Sequence, residues 1–371
     1  GSPPAFEDAS SDTLSFRNLI MNGEFIVDQR MGGSATAITP SGGVDYTCDR
    51  WHESNYSGEA GRITFQTVSD DVPNGNYRKA LKLDCTTAMG TPSGNNWMGL
   101  AQFIEAQDVR VLGHGTSAAK SITLQFWVKS TKTGASSVTV LRHDASREYV
   151  AEYTISSSNT WEKKTITIPG DTTGTEAAMD NGRGFKVSFS LFAGSSRHGT
   201  LDEWRAQNGG YTGASANQVN LLDSTSNNIF FTGVQLEAGS TATDFEHRSY
   251  GEELARCQRY CYAHITPDCG QYAQISMGSY YNASNLFGYV SFPVTMRTKP
   301  TLLTTDATDA FNVYRNGGVD FVNNFVLSAN ESGTTGAAIN NADDASGTAG
   351  HSAIIRRGAS STNYFIFDSE L

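Results

Sequence analysis

The feature that most limits this chain is the alternation of apolar and polar residues along short runs that succeed one another without helices between them. In one run Ile122, Leu124, Phe126 and Val128 alternate with Thr123, Gln125, Trp127 and Lys129. Successive side chains of a strand point to opposite faces, so this pattern predicts a strand with one buried face. Similar runs occupy 62–68, 79–84, 97–103, 137–143, 148–155, 161–168 and 185–192, separated by turns such as Lys132-Thr-Gly134 and Pro169-Gly-Asp171. Such a succession predicts an all-β fold of two packed antiparallel sheets, with a jelly roll as its arrangement.

One stretch breaks the rhythm. Ile229–Leu236 reads as a further strand, and Ser249 with Glu252 has the spacing of a capping box that opens a helix. Tyr250, Leu254, Cys257 and Cys261 recur at helical spacing and form one apolar stripe. The expected organisation is a polar linker or arm at 1–17, a jelly-roll β-sandwich at 18–248, a connecting helix at 249–264, and a second, smaller β-sandwich at 265–371. Asn340–Gly350 is rich in small residues and is expected to be a mobile tip. Gly1-Ser2 resembles a tag remnant, so an upstream region is expected to be missing.

A net charge of −11 argues against binding to nucleic acid, which needs a basic stripe. No run approaches the roughly 20 apolar residues of a membrane span. Of the five cysteines (48, 85, 257, 261 and 269), the series Cys257, Cys261 and Cys269 lacks the spacing and partner histidines of a zinc site; Cys257 and Cys261 fall on the apolar stripe and are expected as buried thiols, so no metal or cofactor is assigned. Acidic turns such as Asp343-Asp344 could still hold a structural Ca2+ by oxygen ligands. No catalytic motif is present, and the chain is expected not to be an enzyme.

Aromatic residues make up 11% of the chain, and flat rings beside amides suit the recognition of sugars. The candidate ligand residues are Asn95, Asn96 and Trp97 at the mouth of a strand, with Arg197, His198, Trp204 and Tyr211 in the long polar loop 193–220. Tyr280-Tyr281-Asn282 is a further candidate surface. A loop of this length inside a domain is usually functional or disordered. The apolar stripe of the helix makes Leu254, Cys257 and Cys261 the candidate oligomer interface.

A series of segments then shows a resemblance. It comprises Asn18-Leu-Ile-Met-Asn-Gly-Glu-Phe25, Ile122–Ser130, Asn159–Asp171, Gln218–Leu222 and, most specifically, Thr232-Gly-Val-Gln-Leu-Glu237 continuing through Thr243-Asp-Phe-Glu-His-Arg-Ser-Tyr250 to Tyr260. The series resembles tail-fibre and receptor-binding proteins of tailed bacterial viruses, many of them marine, whose β region is like the jelly rolls of carbohydrate-binding modules. The resemblance covers about residues 18–262. It implies a non-enzymatic virion component at a fibre tip that forms a homotrimer, joins other tail proteins through its upstream region, and meets a host-surface glycan. A capsid-decoration or fibre-shaft protein, or part of a polysaccharide depolymerase, are the alternatives.

Overall fold

A computed structural model describes residues 17–37, 44–56, 62–207, 212–266, 269–360 and 363–371. The chain divides into two compact units. One comprises 1–26 and 33–248, and the other comprises 27–32 and 249–371.

The strands of the first unit are β1 (Thr36–Ala37), β2 (Val44–Tyr46), β3 (His52–Tyr56), β4 (Ile63–Val68), β5 (Ala80–Cys85), β6 (Trp97–Glu105), β7 (Ile122–Ser130), β8 (Gly134–Arg142), β9 (Arg147–Ile155), β10 (Glu162–Ile168), β11 (Arg183–Ala193), β12 (Trp204–Ala206) and β13 (Asn228–Ala238). They form two antiparallel sheets, in the orders β1-β4-β5-β13-β7-β10 and β12-β9-β8-β11-β6-β3-β2. The period-two runs are these strands, with apolar positions turned inward. Phe126 of β7 and Phe231 of β13 in one sheet meet Phe189 of β11 in the other at ring distances of 4.9 and 4.8 Å. Trp51, Phe65, Val128 and Val187 are fully buried in the same unit. This is an all-β sandwich of the jelly-roll kind.

The two segments that most distinguish the sequence are one structural piece. Asn18–Phe25 runs beside β13: Leu19 N donates to Leu236 O at 2.8 Å, Val234 N to Gly23 O at 2.9 Å, and Leu236 N to Asn18 Oδ1 at 3.0 Å. Arg248 closes the arrangement by donating to the carbonyls of Asn18 and Ile20 at 2.6 and 3.2 Å. A Cβ on Gly23 would collide with the Val234 carbonyl, so the close approach needs glycine there.

The second unit contains the helix Tyr250–Gln258 and strands β14 (Cys261–Ile265), β15 (Gln274–Asn282), β16 (Asn285–Ser291), β17 (Thr301–Thr304), β18 (Phe311–Arg315), β19 (Gly318–Val322), β20 (Val326–Leu327), β21 (Gly336–Asn341), β22 (Ser352–Arg357) and β23 (Phe365–Asp368). A sheet ordered β14-β23-β17 and another ordered β19-β18-β22-β15-β16-β21-β20 share a core that includes Phe311, Phe325, Ile355, Phe365 and Phe367. Ser249 Oγ accepts from Glu252 N at 3.2 Å and caps the helix.

Four details differ from the sequence reading. Residues 27–32 belong with the second unit, because Gln29 Nε2 donates to Cys261 O at 2.8 Å and Arg30 pairs with Asp368 at 2.8 Å. The helix likewise belongs to that unit. The expected mobile tip begins as β21 and then turns tightly, since Asn341 Nδ2 donates to Asp344 Oδ1 at 2.7 Å while Asp344 Oδ2 accepts from Asn323 N at 2.9 Å. Cys257 and Cys261 are fully buried within the single chain, so neither offers surface to a second copy; Leu254 keeps partial exposure. The expected arm falls almost wholly on residues 1–16, which lie outside the described residues.

Candidate functional site

β11 alternates Phe185, Val187 and Phe189, all turned into the core, with Lys186, Ser188 and Ser190 on the outer face. Register places Phe103 of β6 on one side of Lys186 and Leu141 of β8 on the other. On an open sheet a lysine so placed would extend into water. Here the long segment after β11 folds back over the sheet.

That segment is pinned by hydrogen bonds. Thr139 Oγ1 donates to Gly213 O at 3.0 Å, the Ser190 hydroxyl donates to the same carbonyl, and Ser215 N donates to Ser137 Oγ at 2.9 Å. Trp97 packs against Ala193 and Ala214, and its Nε1 donates to Ser190 Oγ at 3.0 Å. A Cβ on Gly213 would collide with the Trp97 indole, so the cover lies flat only because that residue is glycine. In its described residues the long segment 193–220 is an ordered cover.

Between cover and sheet lies a cavity of about 340 Å³. Its lining includes Ser54 and Asn55 of β3, Trp97 and Phe103 of β6, Arg183 and Lys186 of β11, and Arg197, His143 and Gln207 at its margins. Lys186 is only 7% exposed, donates to Ser54 Oγ at 2.8 Å, and stands 5.4 and 5.5 Å from the Trp97 and Phe103 ring centroids. Arg183 lies 4.2 Å over the Phe103 ring, and His52 stacks on Phe103 at 4.9 Å. Burial, and then the Arg183 charge, push the Lys186 ammonium down to about 7. Burial followed by Arg183 and Lys186 lowers His143, and burial followed by Lys186 lowers His52 well below its usual value.

The candidates from sequence separate on this geometry. Trp97 and Arg197 line the cavity, although Trp97 is only 2% exposed and offers no open ring face. Asn95 is exposed and gives its carbonyl to Arg197 Nε at 3.0 Å; Asn96 is buried, and its carbonyl accepts from Gly194 N at 2.8 Å. His198 forms a bridge with Ala214 inside the cover. Trp204 lies away from the cavity: it opens β12, donates to Pro169 O at 2.6 Å, and packs on Tyr149 and His114 at 5.5 and 5.6 Å. Tyr211 lies outside the described residues. Arg183, Lys186, His143 and Phe103 were not anticipated, because an outward lysine on a strand has the same sequence pattern whether water or a distant loop covers it.

The second unit presents a different surface. Met277, Ser279 and Tyr281 of β15 share an outer face with Phe287 and Tyr289 of β16, and Tyr289 is in register with Ala338 of β21. These residues and Glu331 line an open groove of about 990 Å³. Tyr281 is 77% exposed and Tyr289 53%, while Tyr280, one residue before, is buried in the core. A Cβ on Gly336 would collide with the Tyr289 hydroxyl, so glycine lets that ring lie along the groove. Among the described residues there is no cluster of three or more His, Cys, Asp or Glu placed to hold a metal, and no helix is long and apolar enough to cross a membrane.

No family model matches the chain. No curated protein matches it. Among solved structures, the enzymatically active domain of bacteriophage CBA120 tailspike protein 4 overlaps at TM-score 0.31 and 13% identity, over 60% of this chain and 22% of that protein. The carbohydrate-binding module TmCBM61, in complex with β-1,4-galactotriose, overlaps at TM-score 0.29 and 13% identity over 60% of this chain and 99% of that one. The tandem carbohydrate-binding modules CBM22-1-CBM22-2 from Paenibacillus barcinonensis Xyn10C overlap at TM-score 0.27 and 9% identity over 93% and 98% of the two chains. None of these overlaps assigns a ligand to this chain.

Proposed function

We propose that the chain is a non-catalytic receptor-binding protein of a tailed bacterial virus, placed at the fibre tip as a homotrimer and attaching to a host-surface glycan. The observation that carries this reading is the open groove of the second unit, where Tyr281, Tyr289 and Phe287 stand beside Ser279 and Glu331. Exposed ring faces pack against the C–H faces of a sugar, while hydroxyl and carboxylate groups hydrogen-bond its rim. The motif series at 18–262 supports the viral setting. Among the described residues, Glu331 is the only carboxylate lining the groove, so these residues do not provide the pair, roughly 5–10 Å apart, used by glycosidases. Threefold repetition would multiply weak single sites.

The test is Tyr281→Ala. Retention on host cells or a glycan array is expected to fall about tenfold or more, roughly 1.4 kcal/mol, with the melting temperature unchanged because the ring is exposed. Undiminished retention would remove the groove from the reading. The apolar share of its lining, Met277 and Ala338, favours a second reading, in which the groove is a contact between copies. Native mass measurement separates the two, because only that second reading expects Tyr281→Ala to change the oligomer.

A further inference from the structure

The covered cavity of the first unit has a chemistry that the tyrosine groove lacks. Arg183, Lys186, Arg197 and His143 converge on about 340 Å³, and no carboxylate is among the described residues lining it. Asn55, Ser54 and Gln207 add neutral hydrogen-bonding groups, while Trp97, Phe103 and Leu141 make the apolar wall. The Arg183 guanidinium rests on the Phe103 ring and makes no ion pair among the described residues. Like charges gathered in a poorly hydrated space repel, and Lys186 and His143 both show it, since each is lowered by Arg183 after burial itself. An anion entering beside Arg183 would relieve that repulsion.

We infer that this cavity binds an oxyanion, a carboxylate or sulfate group, carried on a saccharide. Arginine presents a planar fork of donors that matches either group, and a buried ammonium adds a point charge beside it. The volume lies in the range of small-ligand cavities, roughly 300–1,000 Å³, near its lower end. The saccharide carrier rests on the glycan reading proposed above; the oxyanion rests on the cavity alone. The ligand class is therefore an acidic polysaccharide, with its charged ring seated under the cover.

The full chain is titrated calorimetrically at pH 6.5 and one ionic strength with four probes: tetragalacturonate, a sulfated galactotetraose, neutral galactotetraose and sodium sulfate. At least one acidic oligosaccharide is expected to bind about tenfold or more tighter than the neutral one, and the tighter of the two identifies the anion. Arg183→Ala is expected to remove that advantage at an unchanged melting temperature, and Arg183→Lys to restore part of it. Equal affinity for acidic and neutral sugars with no binding of sulfate overturns the inference, as does an acidic advantage that survives Arg183→Ala. Binding of sodium sulfate alone, lost in Arg183→Ala, upholds the oxyanion site and overturns the saccharide carrier, so the two readings fail separately.

Discussion

The outer sheet faces of the two units follow the same period-two rule and end with opposite surfaces. In the first unit, β11 sends out Lys186 and β6 sends out Trp97 and Phe103, and the segment after β11 packs on Trp97 and reaches the cavity they share through Arg197 and Gln207. In the second unit, β15 and β16 send out Met277, Tyr281, Phe287 and Tyr289, and Tyr281 remains 77% exposed. Alternation decides which side chains leave the core. What covers them afterwards decides whether the result is a partly covered cationic cavity or an open aromatic groove. A buried lysine is costly and needs hydrogen-bonding partners such as Ser54; an exposed tyrosine costs little and adapts to many ligands.

The comparison can be broken first at the support of the covered face. Asp171 is buried and takes Arg142 Nη1 at 2.6 Å and Arg147 Nε at 2.7 Å. Burial alone would raise this carboxyl, but hydrogen bonds from Arg147 and Arg142 hold it below its usual value. Asp171→Ala leaves two cations without their anion and is expected to cost about 3–5 kcal/mol, read by chemical denaturation. Because the folded value is depressed, the stabilisation is present above the unfolded value and is lost as pH falls through the folded one. A loss below about 1 kcal/mol would show that this end of the first unit is looser than its geometry.

The cover itself is tested by Gly213→Ala. The added methyl meets the Trp97 indole and is expected to cost about 1–3 kcal/mol. Trp97 fluorescence should shift as water reaches the ring, and sugar retention by the tyrosine groove should not change. A smaller effect attaches to Lys186, whose folded value near 7 lies below the ordinary lysine value. Between those two values the unfolded chain binds more protons, so stability should rise with pH above about 7, by about 1 kcal/mol per pH unit. Among the described residues, His52, His143, Arg183, Arg197 and Arg50 are charged or titratable groups near it, and Lys186→Met should remove the slope that they do not supply. The smallest expected stability effect is that of Tyr281→Ala, within about 0.5 kcal/mol for an exposed side chain.

The sandwich was legible because Ile122–Lys129 and its fellow runs state their faces directly. The capped helix was legible through Ser249 and Glu252, whose roles are set within three residues. Trp97 and Arg197 were candidates by residue type, and the structure brings both to one cavity, which does not by itself make them ligand residues. The rest depended on contacts made across long stretches of chain. Nothing near Trp97 announces that Gly213 and Ala214 will lie against it, and nothing near Trp204 announces that Pro169 O will take its indole N–H. The same limit applies to the helix stripe: Cys257 and Cys261 were correctly seen as apolar, but helical periodicity does not say which partner buries them. Residues 27–32 crossed to the other unit through Gln29 and Arg30, polar side chains whose distant partners leave no local pattern.

On the proposed reading the two faces recognise sugars by different physics, charge in one and ring stacking in the other. The most direct test is a parallel titration of the unsubstituted chain, Arg183→Ala and Tyr281→Ala with one acidic and one neutral oligosaccharide of equal length. The account predicts a crossed result: Arg183→Ala loses about tenfold for the acidic sugar and nothing for the neutral one, while Tyr281→Ala weakens the neutral sugar by about as much. Equal losses for both sugars in either variant, or no loss in any, would contradict it.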